Sequence, residues 1–129
     1  GFAFKANTND TRESAAIRIC KDLLEEGAIL SIHDPKVEMS QVSRDLKNEN
    51  HNFSKEGSWT MSEDIYDSIN GSDAVLILTE WEEYTKIKWD KVSTIVRKPA
   101  WIFDSRSIID PERVLKNGMN FWRVGDGLH

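Results

Sequence analysis

Short apolar runs alternate with amphipathic helical stretches along this chain, and that alternation constrains the fold more than any other feature. Strands and helices in strict succession imply right-handed crossovers and a parallel sheet covered on both faces. The strongest run is Ala74-Val75-Leu76-Ile77-Leu78, apolar at every position, as a central parallel strand requires. Ala28–Ile32 is a second run, ending in His33-Asp34-Pro35. Trp101-Ile102-Phe103 leads into Asp104-Ser105-Arg106, and Phe121–Val124 makes a last strand. Gly1-Phe2-Ala3-Phe4 reads as the end of a buried strand. The expected order is β-α-β-α-β-α-β-α-β. The expected fold class is α/β, a three-layer sandwich with a mostly parallel sheet of about five strands.

The helices have their own punctuation. Asp10 with Glu13 resembles a capping box and predicts a helix from near Thr11 or Arg12. Ala16, Ile19, Cys20, Leu23 and Leu24 form its apolar stripe, and Gly27 stops it. Ser62 is expected to cap a helix carrying Ile65, Tyr66 and Ile69, ended by Gly71. A further helix fits Asp90–Val96, closed by Pro99. The last opens at Asp110-Pro111 and ends at Gly118. Lys36–Trp59 is the least regular stretch, with a weak helical pattern over Val42–Leu46. A loop of that length is expected to be functional or mobile.

The 129 residues fit one domain, 1–129. A strand that starts at the first residue suggests a domain cut from a longer parent. No apolar run approaches the length of a membrane-spanning helix. The net charge of −5 argues against nucleic acid as the main partner. The lone Cys20 excludes an internal disulfide framework and fits a reducing, cytoplasmic setting.

In parallel sheets, ligands gather at the carboxyl ends of the strands. That rule selects the loops Lys5–Arg12, Thr79–Tyr84 and Asp104–Ile109. Lys5, Arg12 and Arg106 are the cations there, placed to reach a phosphate lying across the strand ends; the plainer alternative makes Lys5 and Arg106 solvated rim charges. The glycine-rich dinucleotide fingerprint is absent, because bulky Phe4 sits where a backbone would approach a pyrophosphate. Phe4 beside Lys5 better suits a base or sugar packed on one side and a phosphate held on the other. No catalytic nucleophile with its base is expected. Cys20 lies on the apolar stripe and reads as a buried structural thiol. His33, His51 and His129 are too scattered for a metal site. Glu80-Trp81-Glu82-Glu83 reads as a solvated helix start with one anchoring tryptophan.

Four segments, in order, carry a family resemblance: Gly1-Phe2-Ala3-Phe4-Lys5 with Thr8 and Asp10-Thr11-Arg12-Glu13-Ser14; His33-Asp34-Pro35-Lys36-Val37; Leu78-Thr79-Glu80-Trp81; and Phe103-Asp104-Ser105-Arg106. Together they resemble the carboxy-terminal UDP-sugar-binding domain of the UDP-glucose 6-dehydrogenases, over nearly the whole chain. The resemblance implies a Rossmann-like fold and a parent that oxidises UDP-glucose twice, with two NAD, to UDP-glucuronate. It implies that Phe4 and Lys5 line the UDP-sugar site, that Arg106 contacts the substrate, and that Arg12 faces an NAD bound mainly by an upstream domain. It also implies a homo-oligomeric parent whose catalytic cysteine, with its lysine and aspartate helpers, lies upstream. The chain alone is then expected to be inactive. Ser105 and Ser107 flank Arg106, where family members commonly carry Gly and then Arg or Asn.

Two other readings compete. Sister enzymes that oxidise other UDP- or GDP-sugars share the domain, and a catalytically silent nucleotide-sugar-binding or assembly module is also compatible. A phosphoacceptor receiver domain is not. Lys98-Pro99 precedes a strand instead of following one, and the first strand ends in Phe4-Lys5 instead of an acidic pair.

Overall fold

A computed structural model describes residues 1–47 and 57–124 of the chain. They divide into two compact units, the first Gly1–Ser68 and the second starting at Ile69.

The first unit opens on a loop, not a strand. Gly1–Phe4 joins no ladder, because the Phe2 and Ala3 N–H groups donate to the Asp34 carboxylate at 2.8 and 2.9 Å. The helix expected from Thr11 or Arg12 starts later, as α1 (Ala15–Glu25). Glu13 sits at a φ of +60°, a left-handed conformation that no helix interior accepts. Ser14 is the N-cap instead. Its Oγ accepts from the Ala16 N–H and donates to the Phe2 carbonyl. Ala16 and Cys20 bury the expected stripe, and Gly27 at φ +85° ends it.

Strand β1 (Ile29–Ile32) follows as expected. The stretch read as irregular contains two elements, α2 (Met39–Asp45) and the start of β2 (Ser58–Met61). α2 overlaps the weak helical pattern of Val42–Leu46 but starts three residues earlier; Val42 is fully buried and a reciprocal Glu38–Gln41 box closes its first turn. β2 runs parallel to β1, pairing Ile29 with Ser58 and Ile32 with Met61. Gly57 permits that approach, since a Cβ there would overlap the Ala28 carbonyl. Residues 48–56 of this stretch, His51 among them, lie outside the described residues.

α3 (Ile65–Ile69) begins where the Asp64 carboxylate accepts from the Asp67 N–H, so Asp64 does the work expected of Ser62. In the second unit β3 (Ala74–Ile77), β4 (Trp101–Asp104) and β5 (Asn120–Arg123) form a parallel three-stranded sheet in that order. The central strand of this sheet is β4, with Ile102 fully buried, although β3 has the most apolar sequence. A 3-10 helix (Glu82–Lys86) and α4 (Trp89–Ile95) connect β3 to β4. α5 (Pro111–Leu115) precedes β5, with Asp110 as its N-cap. Among the described residues five strands in parallel pairing are present, the number expected, but β2 takes the place of the opening strand expected at Gly1–Phe4. They are divided between sheets of two and three strands instead of forming one sheet of five.

Candidate functional site

In the first unit the loop from Phe4 to Glu13 is built by its own polar groups. The Phe4 N–H donates to the Asp10 carbonyl at 2.8 Å, which folds the loop back on itself. Thr8 Oγ1 accepts from the Asp10 N–H, and Asn7 takes a φ of +66° inside the turn. Phe4 and Lys5 therefore stand at the mouth of a fixed loop, both exposed.

Arg12 lies on the same loop and is largely exposed. Its guanidinium grips Asp10 through two parallel contacts, Nε–Oδ1 at 3.0 Å and Nη2–Oδ2 at 2.9 Å. These contacts, with the Arg12 N–H on Oδ1, hold the Asp10 carboxyl down to about 2. An open depression of about 370 Å³ is lined by Asn9, Asp10, Thr11, Arg12, Gln41 and Arg44. α2 fixes its wall. Gln41 donates to the Asn9 carbonyl at 2.8 Å, and the Thr11 hydroxyl donates to Asp45 at 2.5 Å. One loop thus carries Phe4, Lys5 and Arg12, three of the four expected site residues.

The residue that organises this unit read in the sequence only as part of a turn. Asp34, 7% exposed, accepts four backbone N–H groups. Oδ2 takes Phe2 and Ala3; Oδ1 takes Lys36 and Val37 at 2.9 and 3.0 Å. Burial pushes its pKa up, but the four donors outweigh burial and leave it below the usual carboxylate range. A carboxylate one residue past an apolar run and directly before Pro was the available signal.

The fourth expected residue, Arg106, belongs to the second unit. Asp104 at the end of β4 is fully buried; its Oδ1 accepts the Arg106 N–H at 2.9 Å, and its Oδ2 accepts those of Ile108 and Ile109 at 2.8 Å each. This carboxylate shapes the loop that presents Arg106. Ser105 donates through its hydroxyl to the Ile77 carbonyl at 2.8 Å, and Ser107 takes the left-handed turn at φ +59°. The Arg106 side chain crosses toward β3, donating through Nε to the Leu78 carbonyl and through Nη1 to Glu80, both at 3.1 Å. Arg106 is thus not a solvated rim charge. Trp81 is the buried anchor expected, but Glu80 beside it is a partner of Arg106 and not part of a solvated helix start.

Cys20 is buried, and burial pushes its thiol up to about 11, so it is protonated at neutral pH. At pH 8 the native chain is expected to react with iodoacetamide at least tenfold more slowly than the chain in denaturant. Equal rates would show the thiol to be accessible. Among the described residues no three His, Cys, Asp or Glu side chains come together in a metal-holding group, and no helix is long and apolar enough to cross a membrane. His129 lies outside the described residues.

Residues 1–111 match a family model described as the UDP-glucose/GDP-mannose dehydrogenase family, UDP binding domain. A UDP-glucose 6-dehydrogenase of Drosophila melanogaster is 42% identical over 128 residues, covering 97% of this chain and 27% of the relative. One from Caenorhabditis elegans is 40% identical, covering 97% and 26%. The chain thus spans about a quarter of the length of these relatives. A crystal structure of an NDP-N-acetyl-D-galactosaminuronic acid dehydrogenase from Methanosarcina mazei superposes with a TM-score of 0.76 at 22% identity, over 97% of this chain and 23% of that one. A UDP-D-ManNAc dehydrogenase from Pyrococcus horikoshii gives 0.63 at 20%, over 98% and 24%. These two likenesses show a shared α/β fold.

Proposed function

The chain belongs to the UDP-glucose/GDP-mannose dehydrogenase family as its UDP binding domain, and from that premise we propose that it holds the sugar nucleotide in a UDP-glucose 6-dehydrogenase. The observation that carries this reading is the prearranged Arg106 guanidinium, fixed by the Leu78 carbonyl and Glu80 on a loop shaped by buried Asp104. A cation held in place before the ligand arrives loses little conformational entropy on binding an anion. Within the first unit, exposed Lys5 offers a positive charge and its neighbour Phe4 an apolar face to a nucleotide.

The whole enzyme would oxidise the primary alcohol of UDP-glucose to the carboxylate of UDP-glucuronate, as a cytoplasmic homo-oligomer. NAD, when bound, supplies the hydride acceptor for that oxidation. The residues of this chain fit only a peripheral contact with it. Arg12 and the polar depression beside it can meet a phosphate, but Phe4 and the loop after it offer no glycine-rich turn for a pyrophosphate. Here Arg12 binds and orients; it moves no proton. Buried, protonated Cys20 does not serve as a nucleophile.

Titration of the chain with UDP, followed by amide NMR, tests the reading. Shifts are expected at Lys5 and around Ser105–Arg106, with affinity falling as salt rises because the contact is cation to diphosphate. GDP is expected to bind more weakly. Shifts confined to residues 36–47 would place the ligand elsewhere and overturn the assignment.

A further inference from the structure

Arg106 can select the position of a diphosphate only if its loop, Ser105–Ile109, keeps one conformation. Asp104 fixes that loop through three N–H groups, the last of them that of Ile109. The Ile109 carbonyl is held from the next strand. Arg123 of β5, the register partner of Asp104, donates through Nη2 to it at 2.7 Å. Asp104 and Arg123 thus hold the two polar groups of one buried residue, Ile109, which is 3% exposed.

Arg123 is an odd choice if its task is stability alone. Its Nε is buried without a hydrogen-bond partner, a state that native structures rarely keep. Among the described residues no carboxylate pairs with it. The guanidinium lies instead 5.5 Å from the centre of the Phe121 ring. Ring and carbonyl together aim the side chain at the end of the Arg106 loop.

The geometry points to Arg123 as a positioning residue for Arg106: by clamping the Ile109 carbonyl it sets where the Arg106 guanidinium meets the diphosphate of a sugar nucleotide. Arg123 touches no ligand itself. This rests on the reading of Arg106 as a substrate contact and adds the residue through which that contact is tuned.

The test is a double-mutant cycle in the full-length dehydrogenase, with UDP-glucose as the probe. Arg123→Met keeps the apolar stem and removes the donor fork. It is expected to raise the KM for UDP-glucose about three- to tenfold, with kcat and the KM for NAD within twofold of the parent. Arg123→Lys, which can still reach the carbonyl with a single ammonium, is expected to fall between Arg123→Met and the parent. In an Arg106→Ala background, Arg123→Met is expected to add nothing, because the group it positions is gone. A merely structural role would multiply the two effects. If Arg123→Met does not fold, the Arg123→Lys and Arg106→Ala pair completes the same cycle with a smaller single effect. An unchanged KM, or independent multiplying effects, overturns the proposal while leaving Arg106 as a contact. Arg106→Ala without effect on the KM instead sinks the substrate-site reading, and this proposal with it.

Discussion

Asp34→Ala is expected to lower the folding stability of the chain by about 3–5 kcal/mol, read from the shift in its denaturation midpoint. Four backbone N–H groups converge on this carboxylate, two on each oxygen. Alanine strands all four donors, and Phe2, Ala3 and Val37 are buried, so water cannot fully replace the lost acceptor. Asp34→Asn is expected to be nearly as damaging. An amide offers one oxygen, so it serves Phe2 and Ala3 or Lys36 and Val37 but not both pairs, and its nitrogen faces two other donors. The pH dependence has a defined sign. Burial raises the Asp34 pKa and the four donors lower it further than burial raises it, so the folded value lies below the unfolded one. The stabilisation is therefore fully present above the ordinary aspartate value near 4 and is lost as pH falls through the depressed folded value. In Asp34→Ala the acid limb of the stability curve should flatten. A midpoint within about 0.5 kcal/mol of the parent would show that the loop is held by something else.

That aspartate also marks how far the sequence was legible. The elements with apolar periodicity were readable: α1 from its stripe, β1, β3, β4 and β5 from their runs, α5 from Asp110-Pro111. What failed had competing local chemistry. Gly1–Phe4 has the composition of a strand, but its Phe2 and Ala3 N–H groups bond to a side chain 31 or 32 residues away and not to a neighbouring strand. The Asp10 and Glu13 pair resembles a cap, yet Glu13 is left-handed and Ser14 caps. α2 showed only as the weak helical pattern over Val42–Leu46, because most of its residues are polar and Val42 alone is buried, and β2 was hidden because it is short, half polar and alternates exposed with half-buried positions.

The site was legible as positions and not as partnerships. Lys5, Arg12 and Arg106 could be chosen because they are cations in strand-end loops. Nothing in the spacing showed that Arg12 would be gripped by Asp10 or that Arg106 would reach Glu80, 26 residues earlier. The two motif aspartates, Asp34 and Asp104, read as turn residues. They are instead the buried acceptors around which the two loops carrying the proposed site residues are wound, seven backbone N–H bonds between them. A residue that organises a loop from beneath touches no ligand, so ligand chemistry alone could not have selected it.

The three cations are expected to separate in kinetics of the full-length dehydrogenase. Arg106→Ala and Lys5→Ala are each expected to lower kcat/KM for UDP-glucose roughly ten- to a hundredfold, since a charge-assisted contact contributes about 1.5–3 kcal/mol. The KM for NAD should stay within about twofold. Arg12→Ala is expected to reverse that pattern, raising the KM for NAD more than that for UDP-glucose, because Arg12 lines a depression whose lining includes none of the residues assigned to the diphosphate. Its loss should also be the mildest of the three. Arg12 is 88% exposed, so solvent screens what it can offer an anion. Arg106 should show the largest loss: its guanidinium is only 32% exposed and is fixed before the ligand arrives. Removing it also takes the Arg106 charge away from Glu80, which adds repulsion of an incoming diphosphate to the lost attraction. Glu80→Gln combined with Arg106→Ala is therefore expected to recover part of the kcat/KM lost in Arg106→Ala alone. Should the double variant be no better than Arg106→Ala, Glu80 does not face the diphosphate. Should Arg106→Ala and Lys5→Ala both leave UDP-glucose turnover unchanged, the anion is held by other residues and the site assignment is wrong.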